Sequence, residues 1–221
     1  DDTVVVVGGA QYRVGPMTFD SLSLSLEYGE GFTRIKKLLL ADPDLSASLT
    51  ADIDGRGRET VIRLGDCELA ALGERWIAAG DRVIALAGDT VRFTDVQFHS
   101  REGAVFADIA WGVRGNTLDG TARVERFALG MLSRAGIAPL ALEGRVHGTI
   151  SSAGSLSDPA ISASFALGAG RIDTFSVDAA RIAASYEAGR CRIDSLVIVS
   201  PSGELSLGGE ITGISIRDAL R

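Results

Sequence analysis

The residues able to do chemistry in this chain of 221 residues are few and far apart. His99 and His147 are the only histidines and lie in distant parts of the sequence, with no carboxylate or cysteine at ligand spacing. A zinc site gathers several such groups at short spacing, so the two read as polar strand residues and no metal is expected. Cys67 and Cys191 have no CxxC spacing and are too few for a disulfide framework. They read as two half-buried free thiols, with a single disulfide as the alternative. The stretch GDCELAALGE carries Asp66, Glu68 and Glu74, but hydrolysis by paired carboxylates needs them in one cleft. Solvated charges on a polar face explain them better. Val4 to Val7 followed by Gly8-Gly9 has the outline of a nucleotide-binding strand and turn, yet neither G-x-G-x-x-G nor a βαβ unit follows. A buried strand ending in a turn is expected there. No serine sits in a nucleophile elbow, and Asp158-Pro159 fits a strand start, where proline follows a turn and protects an edge. The chain is expected not to be an enzyme and to use no cofactor.

The elements that carry these residues are strands. Hydrophobic residues make up 46% of the chain but aromatics only 6%, and there are 27 glycines, so the apolar content is mostly Ala, Val, Leu and Ile. That composition suits many short strands and turns. The net charge of -7 and the lack of a basic stripe argue against nucleic acid, which is bound through concentrated Lys and Arg. All basic residues except Lys36 and Lys37 are arginine, to which no function is assigned. No apolar run reaches the roughly 18 to 20 residues of a membrane span. The sequence starts at Asp1 without Met and reads as a piece of a longer protein.

A repeat runs through the chain, and repeats decide the fold class where they occur. Residues 20–55 align without a gap with residues 178–213, matching Tyr28 with Tyr186, Gly31 with Gly189, Arg34 with Arg192, Ile35 with Ile193, Leu38 with Leu196, and Pro43 with Pro201. A weaker copy at 91–115 places Arg92, Phe93 and Val96 on Arg192, Ile193 and Leu196. Together with residues 140–170 these units predict one repetitive segment over 1–221, each unit being strand, tight turn, strand, turn, strand. Positions able to adopt positive φ mark the turns, among them Ala188-Gly189, Ser202-Gly203 and Gly115-Asn116. Phe127, Met131, Leu132 and Ala135 fall at helical spacing ahead of Gly136, which predicts a short helix over about 125–135; a second helical fragment is expected from Arg217.

Within the strands the side-chain period is two, so each sheet has one apolar and one polar face. Leu22, Leu24 and Leu26 alternate with serines, and Leu49 and Ile53 continue the pattern. So do Val105, Ile109 and Trp111, then Ile161, Phe165 and Leu167, then Leu205, Leu207 and Ile211. These fourteen are the candidate apolar binding residues. Such a face can be hidden in a sandwich, a barrel or a rolled open sheet. A sandwich fills its interior largely with aromatics; the small residues here leave room for a lumen, with a tightly packed β core as the alternative. An apolar concavity would hold hydrocarbon, each CH₂ contributing about 0.8 kcal/mol.

Residues 125–167 carry a specific order of features: a short helical segment, then Leu142-Glu143-Gly144, Val146, Gly148 and Ile150, then Gly154-Ser155-Leu156-Ser157-Asp158-Pro159, then alternation from Ile161 to Leu167. This resembles the recurring segment of the TamB family, the inner-membrane-anchored subunit of the translocation and assembly module, and residues 74–115 resemble the part preceding it. The likeness covers most of residues 60–213. It implies an all-β fold, a meandering sheet rolled into an elongated, taco-like groove with an apolar interior. It also implies a place in the periplasm of a diderm bacterium, phospholipid as ligand, and a TamA-like outer-membrane barrel as partner through regions outside this chain. Members are implicated in carrying phospholipid between inner and outer membrane, and in assembling outer-membrane proteins. The family's membrane helix and partner-binding region have no counterpart in these residues. A structural or chaperone-like scaffold that pairs its open sheet edges with client strands is the alternative; raw edges would also favour end-to-end self-association.

Overall fold

The described residues are all β apart from one short helix. The computed structural model describes residues 3–14, 17–30, 32–41, 45–57, 59–71, 74–79, 82–134 and 140–213. The chain divides into two compact units, Asp1–Arg101 and Glu102–Arg221. Among the described residues no helix is long and apolar enough to cross a membrane.

The first unit is an antiparallel meander of β1 (Thr3–Val14), β2 (Met17–Gly29), β3 (Phe32–Ala41), β4 (Leu45–Asp54), β5 (Thr60–Ala71), β6 (Glu74–Ala79), β7 (Val83–Ala87) and β8 (Thr90–His99). Each strand pairs with the next through β5. Beyond β5, one strand position is filled by two short strands: β7 pairs with the Thr60–Arg63 half of β5, and β6 with its Glu68–Ala71 half. β8 in turn pairs with both. Val4 to Val7 do not end in a turn. β1 runs on through Gly8 and Gly9, and Val6 is 72% exposed because it stands opposite Ser25 on the polar face, away from Val5 and Val7.

The second unit is built from β9 (Ala104–Gly112), β10 (Thr117–Ala128), β12 (Arg145–Ser155), β13 (Asp158–Leu167), β16 (Ala179–Glu187), β17 (Arg190–Ser200) and β18 (Gly203–Thr212), again antiparallel and paired in that order. At the end where β10 leaves and β12 and β16 enter, a second sheet of β11 (Leu142–Glu143), β14 (Gly170–Ile172) and β15 (Phe175–Val177) joins helix α1 (Gly130–Arg134). Ser133 ties helix to sheet: its hydroxyl donates to the Leu140 carbonyl at 2.8 Å and accepts from the Leu142 amide at 2.9 Å. Met131 and Val177 are buried there.

The hairpins follow their turn chemistry. Ala188 and Gly189, at φ 49° and 72°, make the two-residue turn between β16 and β17, whose twist matches that of the strands. The connection at Asp158-Pro159 is tighter than the sequence pattern implied: β12 continues through its Ser and Gly residues to Ser155, and only Leu156 and Ser157 turn. Pro159 opposes Gly154 and lies beyond the last β16 partner, so its missing N–H leaves no ladder bond unmade.

Of the helix predicted over about 125–135, Gly130–Arg134 is helical and carries Met131 and Leu132, while residues 125–128 are strand. β10 extends to Ala128, and α1 is a single turn that excludes Phe127. The cause is a β-bulge: Val124 opposes Gly148 while Phe127 opposes Val146, so β10 spends one residue more than β12 between those pairs. An extra residue converts the strand spacing of two into three, which imitates the spacing of a helix. The fragment expected from Arg217 lies outside the described residues.

The same device recurs at the same place in both long repeats. On β3 the pairing with β2 and β4 shifts between Ile35 and Leu38, and on β17 the pairing with β16 and β18 shifts between Ile193 and Leu196. These are the aligned positions of the repeat. A further bulge on β5 lies between Leu64 and Cys67. Each bulge carries polar residues, such as Lys36-Lys37 and Asp194-Ser195, between two apolar ones.

Candidate binding face

Residues directly opposite each other in a ladder share a face of the sheet, so the register traces each face strand by strand. In the first unit one row runs Gly9, Leu22, Leu40, Ala47, Leu69, Trp76, and the next runs Val7, Leu24, Leu38, Leu49, Cys67. A third runs Val5, Leu26, Ile35, Ala51, Leu64. The fourth runs Tyr28, Thr33, Ile53, Ile62, Ile84, Phe93. The candidates Leu22, Leu24, Leu26, Leu49 and Ile53 therefore stand on one apolar face, all half-buried.

The second unit repeats the arrangement. Its rows are Val105, Val124, Gly148, Phe165, Ile182, Leu196, Leu207; then Ala107, Ala122, Ile150, Ala163, Ala184, Ile193, Gly209. Ile109, Gly120, Ser152, Ile161, Tyr186, Cys191, Ile211 form the third, and Phe127, Val146, Leu167, Ala180, Ile198, Leu205 the fourth. All nine candidates of this unit lie on that face, Trp111 joining it opposite Leu118. Strands stand about 4.8 Å apart, so seven of them carry the face across roughly 30 Å. Gly148 sits beneath Phe165: a Cβ there would come within 2.1 Å of the ring, so the glycine is what lets the phenyl lie down on the sheet.

The opposite faces are wet. In the first unit Glu27, Arg34, Asp52 and Arg63 form one row of alternating charge, with Arg34 Nε 2.6 Å from Asp52 Oδ1. Glu68 accepts two bonds from Arg75, at 2.5 Å and 2.6 Å, and this guanidinium holds its carboxyl below the usual range. Asp66, on the β5 bulge, donates its amide to Thr50 Oγ1 at 2.8 Å. Glu74, opposite Ala71, falls instead on the side of Leu69 and Trp76, so it does not share a polar face with Glu68 as the sequence suggested. In the second unit Asp108, Thr121, Ser151, Ser162, Ser185, Arg192 and Glu210 form a polar row, and Arg123 lies 4.3 Å over the ring of Phe106 opposite it.

No family model, curated protein or solved structure matches the chain. What the face can bind must be read from its own chemistry. The decisive property is how little it is covered. Among the described residues the buried apolar side chains are only Ala51, Trp76, Ala78, Ala104, Met131, Pro159 and Val177. A packed core seals its large aliphatics from water, whereas here Leu, Ile and Phe of every row stay partly open. On β18 every residue is exposed: Leu205, Leu207 and Ile211 are 57%, 51% and 57% accessible. Open apolar surfaces of this kind mark binding faces.

Sequence alternation found the residues on regular strands and missed those past the bulges. Leu38, Leu40, Leu196 and Ile198 belong to the apolar face, but each follows a shift in register that puts it out of step with the residues before it. The signal was present as the spacing Ile-x-x-Leu, repeated at 35–38 and 193–196.

Both cysteines are free and stand on the apolar rows, which makes them native reporters of the face. Burial pushes the Cys67 thiol up, with Arg82 opposing more weakly. A raised pKa means less thiolate at any pH below it, so Cys67 in the folded protein should alkylate with iodoacetamide more slowly at pH 8 than in urea. The rate should climb as pH rises through the raised value. Peptide mass spectrometry reads it directly, and equal folded and unfolded rates would show that Cys67 is not shielded.

Proposed function

We propose that the chain is a segment of a periplasmic hydrophobic groove that holds phospholipid acyl chains and passes them between inner and outer membrane, in the manner of the TamB family that its sequence resembles. The observation that carries this reading is the largely apolar face of each unit, aligned row by row and left half-open along every strand. Binding there would be mainly by apolar contact, each methylene adding about 0.8 kcal/mol; a surface with few donors or acceptors lets a chain slide. The longer protein would supply the membrane anchor and a barrel partner.

Native mass spectrometry with solvent extraction of protein purified from a diderm host tests this. Phospholipid should co-purify with the wild type and be lost from the double variant I109E/F165E, since a carboxylate on the face is costly to bury beside hydrocarbon. Circular dichroism establishes that the variant is folded. A folded variant that keeps its lipid, or a wild type that is empty and takes none up, would overturn the groove.

One observation favours a second reading. β18 offers an outer edge whose strand is exposed on both faces, the arrangement into which a client strand inserts by β-augmentation. In that case proline substitutions along β18 would abolish capture of an outer-membrane protein strand while leaving lipid uptake intact.

A further inference from the structure

On its polar side the second unit carries a cavity of about 620 Å³ at the strand ends of β10, β12, β13 and β16. Four basic side chains line it, Arg126, Arg145, His147 and Arg181, and no acidic one does, in a protein whose net charge is -7. The ladder sets them in place. His147 opposes Ala166, and Ala166 opposes Arg181, so two basic residues flank a methyl group across two strand spacings, about 10 Å. Small residues complete the lining, with Gly144, Gly168 and Ala169 among them.

The four bases are not equivalent. Arg145 is already neutralised: it pairs with the Glu102 carboxylate and donates from Nη1 to the Glu102 carbonyl at 3.1 Å. Arg126 and Arg181 have no carboxylate partner among the described residues, unlike the paired Arg34, Arg75, Arg171 and Arg192. Arg126 is the bulge residue of β10, at φ 53°. Its amide donates to Nδ1 of His147 at 3.4 Å. A neutral imidazole accepting at Nδ1 carries its proton on Nε2, so the histidine presents a donor. Two unpaired guanidiniums and an N–H donor around one hollow match the donor set for a tetrahedral oxyanion.

We propose that Arg126, His147 and Arg181 form a binding site for a phosphate ester. The guanidiniums would each grip two phosphate oxygens, and His147 would donate to a third. The small side chains of the lining, Ala166 and Ala179, would face the organic part of the ester. His147 and Arg181 stand on the face opposite the acyl-binding rows, so the site does not rest on the groove reading. The same chemistry is offered by a lipid headgroup and by a soluble phosphate compound.

Phosphorus NMR of inorganic phosphate titrated with the full chain, and co-sedimentation with phosphatidylglycerol vesicles, test the site and separate its sources. Saturable broadening of the phosphate signal is expected, weakened at least tenfold in R126Q/R181Q. R126K/R181K, which keeps the charge and loses the fork, should fall in between. R114Q/R190Q removes the same charge elsewhere and should bind as the wild type does, and I109E/F165E should also retain phosphate. Vesicle binding lost in R126Q/R181Q assigns the ester to a headgroup; phosphate binding without vesicle binding assigns it to a soluble compound. Absence of saturable phosphate binding, or equal weakening in R114Q/R190Q, would overturn the proposal.

Discussion

Alanine at position 120 is expected to destabilise the second unit by about 2 to 3 kcal/mol, the upper part of the range for overpacked sites. Gly120 lies on β10 opposite Ile109, and a Cβ there would come within 2.3 Å of the Asp108 carbonyl oxygen and 2.8 Å of the Ile109 Cα. Both obstacles are backbone, so no rotamer change relieves the clash and β9 itself must move. The usual gain from replacing glycine, a less flexible unfolded chain worth about 0.4 to 1 kcal/mol, is too small to offset this. Gly112 supplies the control. A Cβ there meets Thr117 Oγ1 at 2.4 Å, but that atom belongs to a side chain that can rotate away, so Gly112→Ala should change stability little. Urea unfolding followed by hydrogen exchange of the β9 and β10 peptides distinguishes the two. Equal midpoints for both variants would mean that β9 and β10 yield more easily than their register implies.

The close approach at Gly120 also shows where sequence reading reaches its limit. Alternation assigned Ile109 and Ile161 to one face because it needs only the period of a strand, and the ladders agree with it at all fourteen candidates. Nothing in the sequence around Gly120 reveals that a neighbouring backbone passes over it. That contact depends on how the sheet coils locally, a property of paired strands and not of either one. The bulges are intermediate. Val124-x-x-Phe127 could be a helix or a bulged strand, and only its partner β12 decides, by pairing Gly148 and Val146 with those two residues. The cationic hollow was invisible for a different reason: Arg126, His147 and Arg181 belong to three strands, and their proximity follows from strand order.

That face openness was not legible follows from the same distinction. Alternation says that Leu205, Leu207 and Ile211 share a side, but it is blind to whether another layer covers them. In the first unit the repeat-equivalent strand β4 has β5 beside it, and its central Ala51 is buried. β18, the aligned strand of the second long repeat, has no described strand beyond it and is open throughout. Equal sequence pattern thus gives opposite burial, because covering is set by neighbours.

Deleting one residue should have opposite consequences at two adjacent places in the second unit. Removing Ala183 from the regular strand β16 is expected to cost about 2 kcal/mol, the worth of turning one partly covered large aliphatic with its smaller neighbour out of an apolar layer. Ile182 and Ala184 both face the apolar side, opposite Leu196 and Ile193. Without Ala183 between them, one of the two and everything beyond it must rotate to the polar face. Removing Asp194 from β17 should be tolerated. Asp194 is the extra residue of the bulge, since Ala183 opposes Ser195 while Ala184 opposes Ile193. Its loss leaves Ile193, Ser195 and Leu196 in simple alternation, with Ile193 and Leu196 still on the apolar face and every cross-strand partner unchanged. The strand loses its local bend and the exposed Arg192–Asp194 ion pair, and exposed pairs of this kind contribute little. Thermal melts of the two deletions, each with lipid content measured on the folded fraction, give the comparison: a large drop for the first and a small one for the second. A reversed order would mean that the bend at Asp194-Ser195 matters more to the unit than the facing of its aliphatic rows. The matching position on β3 is Lys36, where the same extra residue sits between Ile35 and Leu38, so its deletion should be tolerated as well.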